Sequence, residues 1–466
     1  MEKPRRHRKT RFQLATVLAV TSGMGLLLSM VGAGAASAAT LGAARAQVTP
    51  NVVPTAGSDY FPVTPVRICD TRAPSATVTA NQCDMNGSKT LTAGGVANVT
   101  VTGGAAMVPA DATAVVLHVT ATDTTGVSYF TVWPTGESQP VASSLNWDPD
   151  ENISNTIQAT VGAGGQVSVY NNLGSADLVI DLDGYYEQAA GGLVTTVAPE
   201  RICDTRAKST NVPANQCNGN GMQAGTMQPG STMKVDVSTG FGVPAGATAV
   251  IINLTATNPS KDGGFLTVWA DGTTKPFVSD LNWAAHQEIA DRVITPISSA
   301  GIFDVFNAVG TADVVIDLDG FVTPATDTMV TTGAQYFPES PDRICDTRAQ
   351  GPGIASNPCN QGGPNTLGPV GSNTDLLDIP GSMKVAGLAL NVTVTNTTGN
   401  GYLTVFPDDE ANPPNASDLN WTQGTTIANL AVTAVGATNH GFDLFNGSTG
   451  NVDVVIDQVG VYLMPG

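Results

Sequence analysis

Along TAVVLHVTAT, Val115, Leu117, Val119 and Ala121 fall on one side while His118, Thr120 and Thr122 fall on the other. That period of two sends successive side chains to opposite faces of a strand. Farther on, Val250, Ile252, Leu254 and Ala256 share a face in the same way, and so do Leu388, Leu390, Val392 and Val394. About eight or nine such runs, rich in Val and Thr and broken by Gly, Pro and Asn, recur in each third of the chain. They predict antiparallel sheets, and no amphipathic helix of useful length follows the N-terminal stretch.

The runs belong to a repeat. RICDTR stands at residues 67–72, 201–206 and 343–348. An aromatic strand comes next (YFTVWP from Tyr129, FLTVWA from Phe265, YLTVFP from Tyr402), then an LNW segment ending at Trp147, Trp283 and Trp421. Each copy closes on a strand that begins at Leu178, Val314 or Val454. The whole chain has 466 residues, too many for one ordinary core, whereas a unit of roughly 125 residues matches a common domain size. The expected fold class is therefore all-β: three tandem antiparallel β-sandwich, jelly-roll-like modules, with a barrel as the alternative. The expected boundaries are 59–187, 197–322 and 336–466, separated by linkers at 39–58, 188–196 and 323–335.

The order of RxxDTR, a VPA turn, LNW and a closing VIDxxGYY strand resembles a secreted actinobacterial repeat module that occurs in tandem or attached to exported hydrolases and peptidases. The likeness covers nearly all of residues 60–463. It implies an extracellular, surface-associated β domain and carries over no activity. In that family the position before Asp70 is more often aliphatic, so the resemblance implies that the cysteine there serves stability.

The N-terminal residues MEKPRRHRKTRFQ precede an uncharged apolar stretch and then Ala36, Ser37 and Ala38, the pattern of a signal peptide cleaved after residue 38. An uncleaved anchor is the alternative. Removing residues 1–38 takes away six basic side chains and one acidic one, so the net charge moves from −19 to −24. That charge excludes nucleic acid as a partner, since nothing downstream offers a basic face. No transmembrane segment follows the leader. Cys69 with Cys83, Cys203 with Cys217, and Cys345 with Cys359 repeat one spacing, which in an exported chain predicts one local bridge per copy, each worth about 3 kcal/mol in the chain-entropy picture. Zinc lacks ligands, because no histidine lies near a cysteine pair.

Candidate chemistry is sparse. Beyond residue 38 the chain has eight arginines, and six sit in the RICDTR copies: Arg67, Arg72, Arg201, Arg206, Arg343 and Arg348. With Asp70, Asp204 and Asp346, and with Asp181, Asp317 and Asp457 of the closing strands, they predict partly buried ion pairs. An Arg fork for a carboxylate or phosphate ligand is the functional alternative. Asp181 with Asp183, and Asp317 with Asp319, would sit about 7 Å apart on one strand face, within the range of an inverting glycosidase. The third copy, however, has Val459 in the second place. The same gap weakens a calcium site, so no metal or other cofactor is expected, with calcium as the alternative. Ser143, Ser279 and Ser417 recur without a recurring His, which argues against a triad and against the alternative of a secreted hydrolase.

The remaining candidates for binding are Asn146 and Trp147, Asn282 and Trp283, and Asn420 and Trp421, since an indole beside an amide suits a sugar ring. Core filling is the competing role for those tryptophans. The expected function is a secreted or surface-associated, non-catalytic module for cell-wall or extracellular polysaccharide. The rival is a purely structural protein that packs against other surface proteins.

Overall fold

The computed structural model describes residues 56–465 apart from 73–77, 79–80, 84–88, 207–211, 213–216, 218–224, 261–262, 327–332, 349–365, 369–372, 376–383 and 439. The leader expected at 1–38 and most of the 39–58 stretch lie outside the described residues. Among those residues the protein is all-β, without a helix, and no helix is long and apolar enough to cross a membrane.

Each repeat builds two antiparallel sheets with the same strand order. In repeat 1, β1 (Asp59–Asp70), β9 (Ser175–Glu187), β4 (Ala114–Thr122) and β7 (Ile153–Thr160) lie side by side. The short β2 (Leu91–Thr92) pairs with β9, and the second sheet runs β3 (Val96–Thr100), β8 (Gln166–Asn171), β5 (Ser128–Pro134) and β6 (Leu145–Trp147). Repeat 2 repeats the first order with β10 (Gly192–Asp204), β17 (Asp313–Pro324), β12 (Ala249–Thr257) and β15 (Ile289–Pro296). Its second sheet holds β11 (Thr232–Asp236), β16 (Ile302–Asn307), β13 (Gly264–Ala270) and β14 (Leu281–Trp283). Repeat 3 follows with β18 (Gln335–Asp346), β25 (Asp453–Leu463), β20 (Val385–Thr395) and β23 (Ile427–Ala434), then β19 (Asn373–Asp375), β24 (Phe442–Asn446), β21 (Gly401–Pro407) and β22 (Leu419–Trp421).

The repeats are not separate beads. Residues 188–196 were expected to be a linker, yet β10 begins at Gly192 and pairs with β1 through Tyr60 and Gly192. One sheet thereby runs through repeats 1 and 2, which corrects the expectation of three discrete sandwiches. Val194 bridges Ala334, and Tyr336 bridges Ser58, so the first strands of the three repeats join pairwise in a closed triangle. The cause is apolar material on the second face of the first sheets. Val116, Ile251, Ile294, Val322, Leu430, Val432, Tyr60, Tyr186, Tyr336 and Tyr462 form a core of their own, apart from the one that lies between the sheets. A module folded alone would leave that face in water. Residues 45–466 accordingly form one compact unit.

The closing-strand glycine makes room for this centre. A Cβ on Gly460 would lie 2.4 Å from Tyr336 Oη, and one on Gly184 would lie 2.2 Å from Tyr60 Oη. The tyrosine rings therefore cross the strand where a side chain would otherwise stand, and Tyr186 and Tyr336 come within 4.4 Å centroid to centroid.

Disulfides join Cys69 to Cys83 and Cys203 to Cys217. Cys345 is disulfide-bonded as well, while Cys359 lies outside the described residues.

Candidate functional site: three clefts between repeats

The RICDTR arginines divide into two roles. Arg67, Arg201 and Arg343 each reach the closing strand of their own repeat, with Nε 2.8 Å from Asp181, Asp317 and Asp457 respectively. In each pair the Nη2 atom contacts the second carboxylate oxygen, a two-point fork. Arg72, Arg206 and Arg348 fold back on Asp70, Asp204 and Asp346 two residues earlier, at 2.9, 2.9 and 2.8 Å from Nε. The first set is about a tenth exposed, whereas the second reaches 41%, 41% and 34%.

The buried carboxylate then receives a donor from the next repeat. The Ser417 amide donates to Asp317 at 2.9 Å, the Ser279 amide donates to Asp181, and the Ser143 amide donates to Asp457. Repeat 1 thus holds repeat 2, repeat 2 holds repeat 3, and repeat 3 holds repeat 1. At every joint the recurring serine makes this contact through its backbone amide.

Above each of these joints lies an open cleft. The cleft between repeats 1 and 2 has a volume of about 330 Å³, that between 2 and 3 about 210 Å³, and that between 3 and 1 about 510 Å³. Their linings correspond position by position. One wall carries the two arginines and a pair of threonines of the preceding repeat, such as Thr120 and Thr122 or Thr393 and Thr395. The facing wall carries Phe265 with Asn282, Tyr402 with Asn420, or Tyr129 with Asn146. In each case the ring and the amide are direct cross-strand partners, which places them side by side on one sheet face. All three rings are partly exposed.

The LNW tryptophans do not face these clefts. Trp147, Trp283 and Trp421 are 2%, 2% and 3% exposed, and Phe130 packs edge-on against Trp147 at 4.6 Å. The expectation that they stack on a sugar is corrected: their position on a three-residue edge strand turns them into the core between the sheets. The asparagines beside them, one residue out of phase, are what the clefts receive. Asn282 Nδ2 also contacts Ser154 Oγ of repeat 1 at 3.2 Å, and Asn420 Nδ2 contacts Glu288 Oε1 of repeat 2 at 3.1 Å. The aromatic residues that do line the clefts open the YFTVWP, FLTVWA and YLTVFP strands. Their cue was the position-for-position recurrence of an aromatic where a polar residue would serve a solvent face.

Beneath the clefts the joints differ in charge. Between repeats 2 and 3, the fully buried Arg292 bonds Asp319 and Asp418. Between repeats 1 and 2 the matching places hold Thr156, Asp183 and Asp280, so two acids face each other without the guanidinium. Between 3 and 1 they hold Leu430, Val459 and Ser144 and carry no charge. Burial, reinforced by Asp280, holds Asp183 well above the usual carboxylate range, and burial pushes Asp280 up to about 7. Asp291 stands where the other joints use Asn429 and Asn155. The backbone amides of Thr156, Arg292 and Leu430 donate to Asp291, Asn429 and Asn155, each at 3.0 Å. Burial raises Asp291 to about 8, which keeps it protonated as a neutral mimic of the amide.

Asp181, Asp183, Asp317 and Asp319 are at most 3% exposed. His118 is buried with Nδ1 3.3 Å from Thr156 Oγ1, and burial lowers it to about 3, so it is neutral. His286 takes the left-handed turn position that Asp150 and Gly424 take in the other repeats. Among the described residues no group of three or more His, Cys, Asp or Glu side chains is placed to hold a metal ion.

No protein-family model matches the chain, and no curated protein matches it. Among solved structures, the chain is similar to one from the Sulfolobus turreted icosahedral virus at 10% identity and a TM-score of 0.17, over 80% of this chain and 85% of that one. It is also similar to the CBM22-1–CBM22-2 tandem domain of Paenibacillus barcinonensis Xyn10C at 12% identity and a TM-score of 0.15, over 57% of this chain and 94% of that one. At these scores neither likeness carries an argument.

Proposed function

We propose that this is an exported, non-catalytic binding protein whose three clefts each receive a sugar ring of a cell-wall or extracellular glycan. Each repeat is read as a two-sheet, sandwich-like unit whose fusion to its neighbours creates the sites. The observation that supports this most is the recurrence, at all three joints, of a partly exposed ring, a cross-strand asparagine and a half-exposed arginine in an open cleft. A ring offers an apolar face to the C–H side of a sugar, while the amide, hydroxyl and guanidinium groups suit its hydroxyls. Three weak sites on one rigid body raise avidity by about 100-fold or more when a polymer spans two of them. The disulfides support an oxidising compartment.

The test is retention of the intact chain on purified cell-wall polysaccharide. The Tyr129→Ala, Phe265→Ala and Tyr402→Ala triple variant should lose retention while keeping the wild-type unfolding midpoint to within a few degrees. Equal and negligible retention of both proteins would remove the reading. The rival, a structural protein, draws on the burial of the LNW tryptophans and predicts that result.

A further inference from the structure

Resting on the cleft reading, we propose that the cleft between repeats 1 and 2 selects a carboxylate-bearing sugar, a hexuronic acid residue within an otherwise neutral glycan. The three clefts share a plan, but two positions of the loop before LNW set this one apart. Phe277 is 71% exposed over this cleft, where the others place Val141 and Asn415. Lys275, also exposed, stands where they have Gln139 and Pro413, and its ammonium lies 4.4 Å from the Phe306 ring centroid.

Charge distinguishes this cleft further. Its lining contains Arg67, Arg72 and Lys275 and no carboxylate; the cleft between repeats 3 and 1 also lacks a carboxylate but has only its two arginines, and the cleft between repeats 2 and 3 includes Glu288 at the place that Asn152 holds here. Asp70 and Asp181 lie behind the arginines, each 1% exposed. A ligand therefore meets donors and cations first. Asp70, forked by Arg72, and after it Asp123 and Asp177 offset that guanidinium's charge, which places the ligand's anion on the Lys275 side. With Phe265 and Phe277 as apolar surfaces, the cleft offers a ring platform flanked by Lys275, which no carboxylate pairs among the described residues.

A densely charged polymer does not fit, because the mature chain is strongly acidic and repels it beyond the cleft. An isolated carboxylate on a neutral chain gains the local attraction without that cost.

The test uses the intact chain and two probes: a neutral N-acetylglucosamine oligosaccharide that carries one glucuronic acid residue, and the same oligosaccharide after carboxyl reduction. Titration calorimetry at low salt should show the acid form bound about tenfold more tightly. Lys275→Gln should abolish that preference by weakening the acid form to the level of the reduced form, while Phe277→Ala should weaken both. Equal affinity for the two forms, or a preference that survives Lys275→Gln, overturns the selectivity and leaves the cleft reading standing. Binding of neither form overturns both.

Discussion

Asp291 shows how a single buried position reports the assembly. Its raised value of about 8 stands against an ordinary 3.8, so the folded protein holds a proton that the unfolded chain gives up above about pH 4. The penalty is absent below pH 4, grows as pH rises, and levels off above pH 8. Asp291→Asn should therefore raise the thermal midpoint by about 2–5 °C at pH 8, with the gain shrinking toward zero near pH 4. A gain independent of pH would contradict the assignment. Asp183 and Asp280 face the same joint and are pushed the same way, which leaves a residual fall in stability with rising pH in the variant.

The forked arginines make the opposite kind of prediction. Arg201→Gln would strand Asp317, which is fully buried and also holds the Ser417 amide. The expected loss is about 3–5 kcal/mol by denaturant unfolding. Arg206, more exposed, should cost less when changed in the same way, although Asp204, which it forks, is buried as well.

At the scale of elements, the first and closing strands set the geometry of the triangle. Gly460→Ala should force Tyr336 off the strand and destabilise by about 1–3 kcal/mol, read as a lowered unfolding midpoint. Much of this level was legible in the sequence. The period of two located the strands at Ala114–Thr122, Ala249–Thr257 and Val385–Thr395, and the recurring Arg and Asp residues marked the ends of strands that meet. The second apolar face was less legible. Val116, Ile251 and Ala389 sit on the positions that alternation assigns to solvent, and only their being apolar hinted that another repeat covers them. The orientation of LNW was hidden for a related reason: a strand of three residues is too short for periodicity to say which of Asn and Trp points inward.

At the scale of the whole molecule, fusion is what converts three sheet-built repeats into three clefts, since each cleft takes one wall from either neighbour. The amide bonds from Ser143, Ser279 and Ser417 and the Asn155, Asp291 and Asn429 contacts repeat this handover at every joint. Sequence repetition alone could not distinguish a row of domains from a closed triangle, because the residues that join them are the same residues that complete each repeat. Calorimetric unfolding of residues 45–466 tests this most directly. A closed body predicts one transition whose calorimetric and van't Hoff enthalpies agree; three separable transitions, one per repeat, would contradict it.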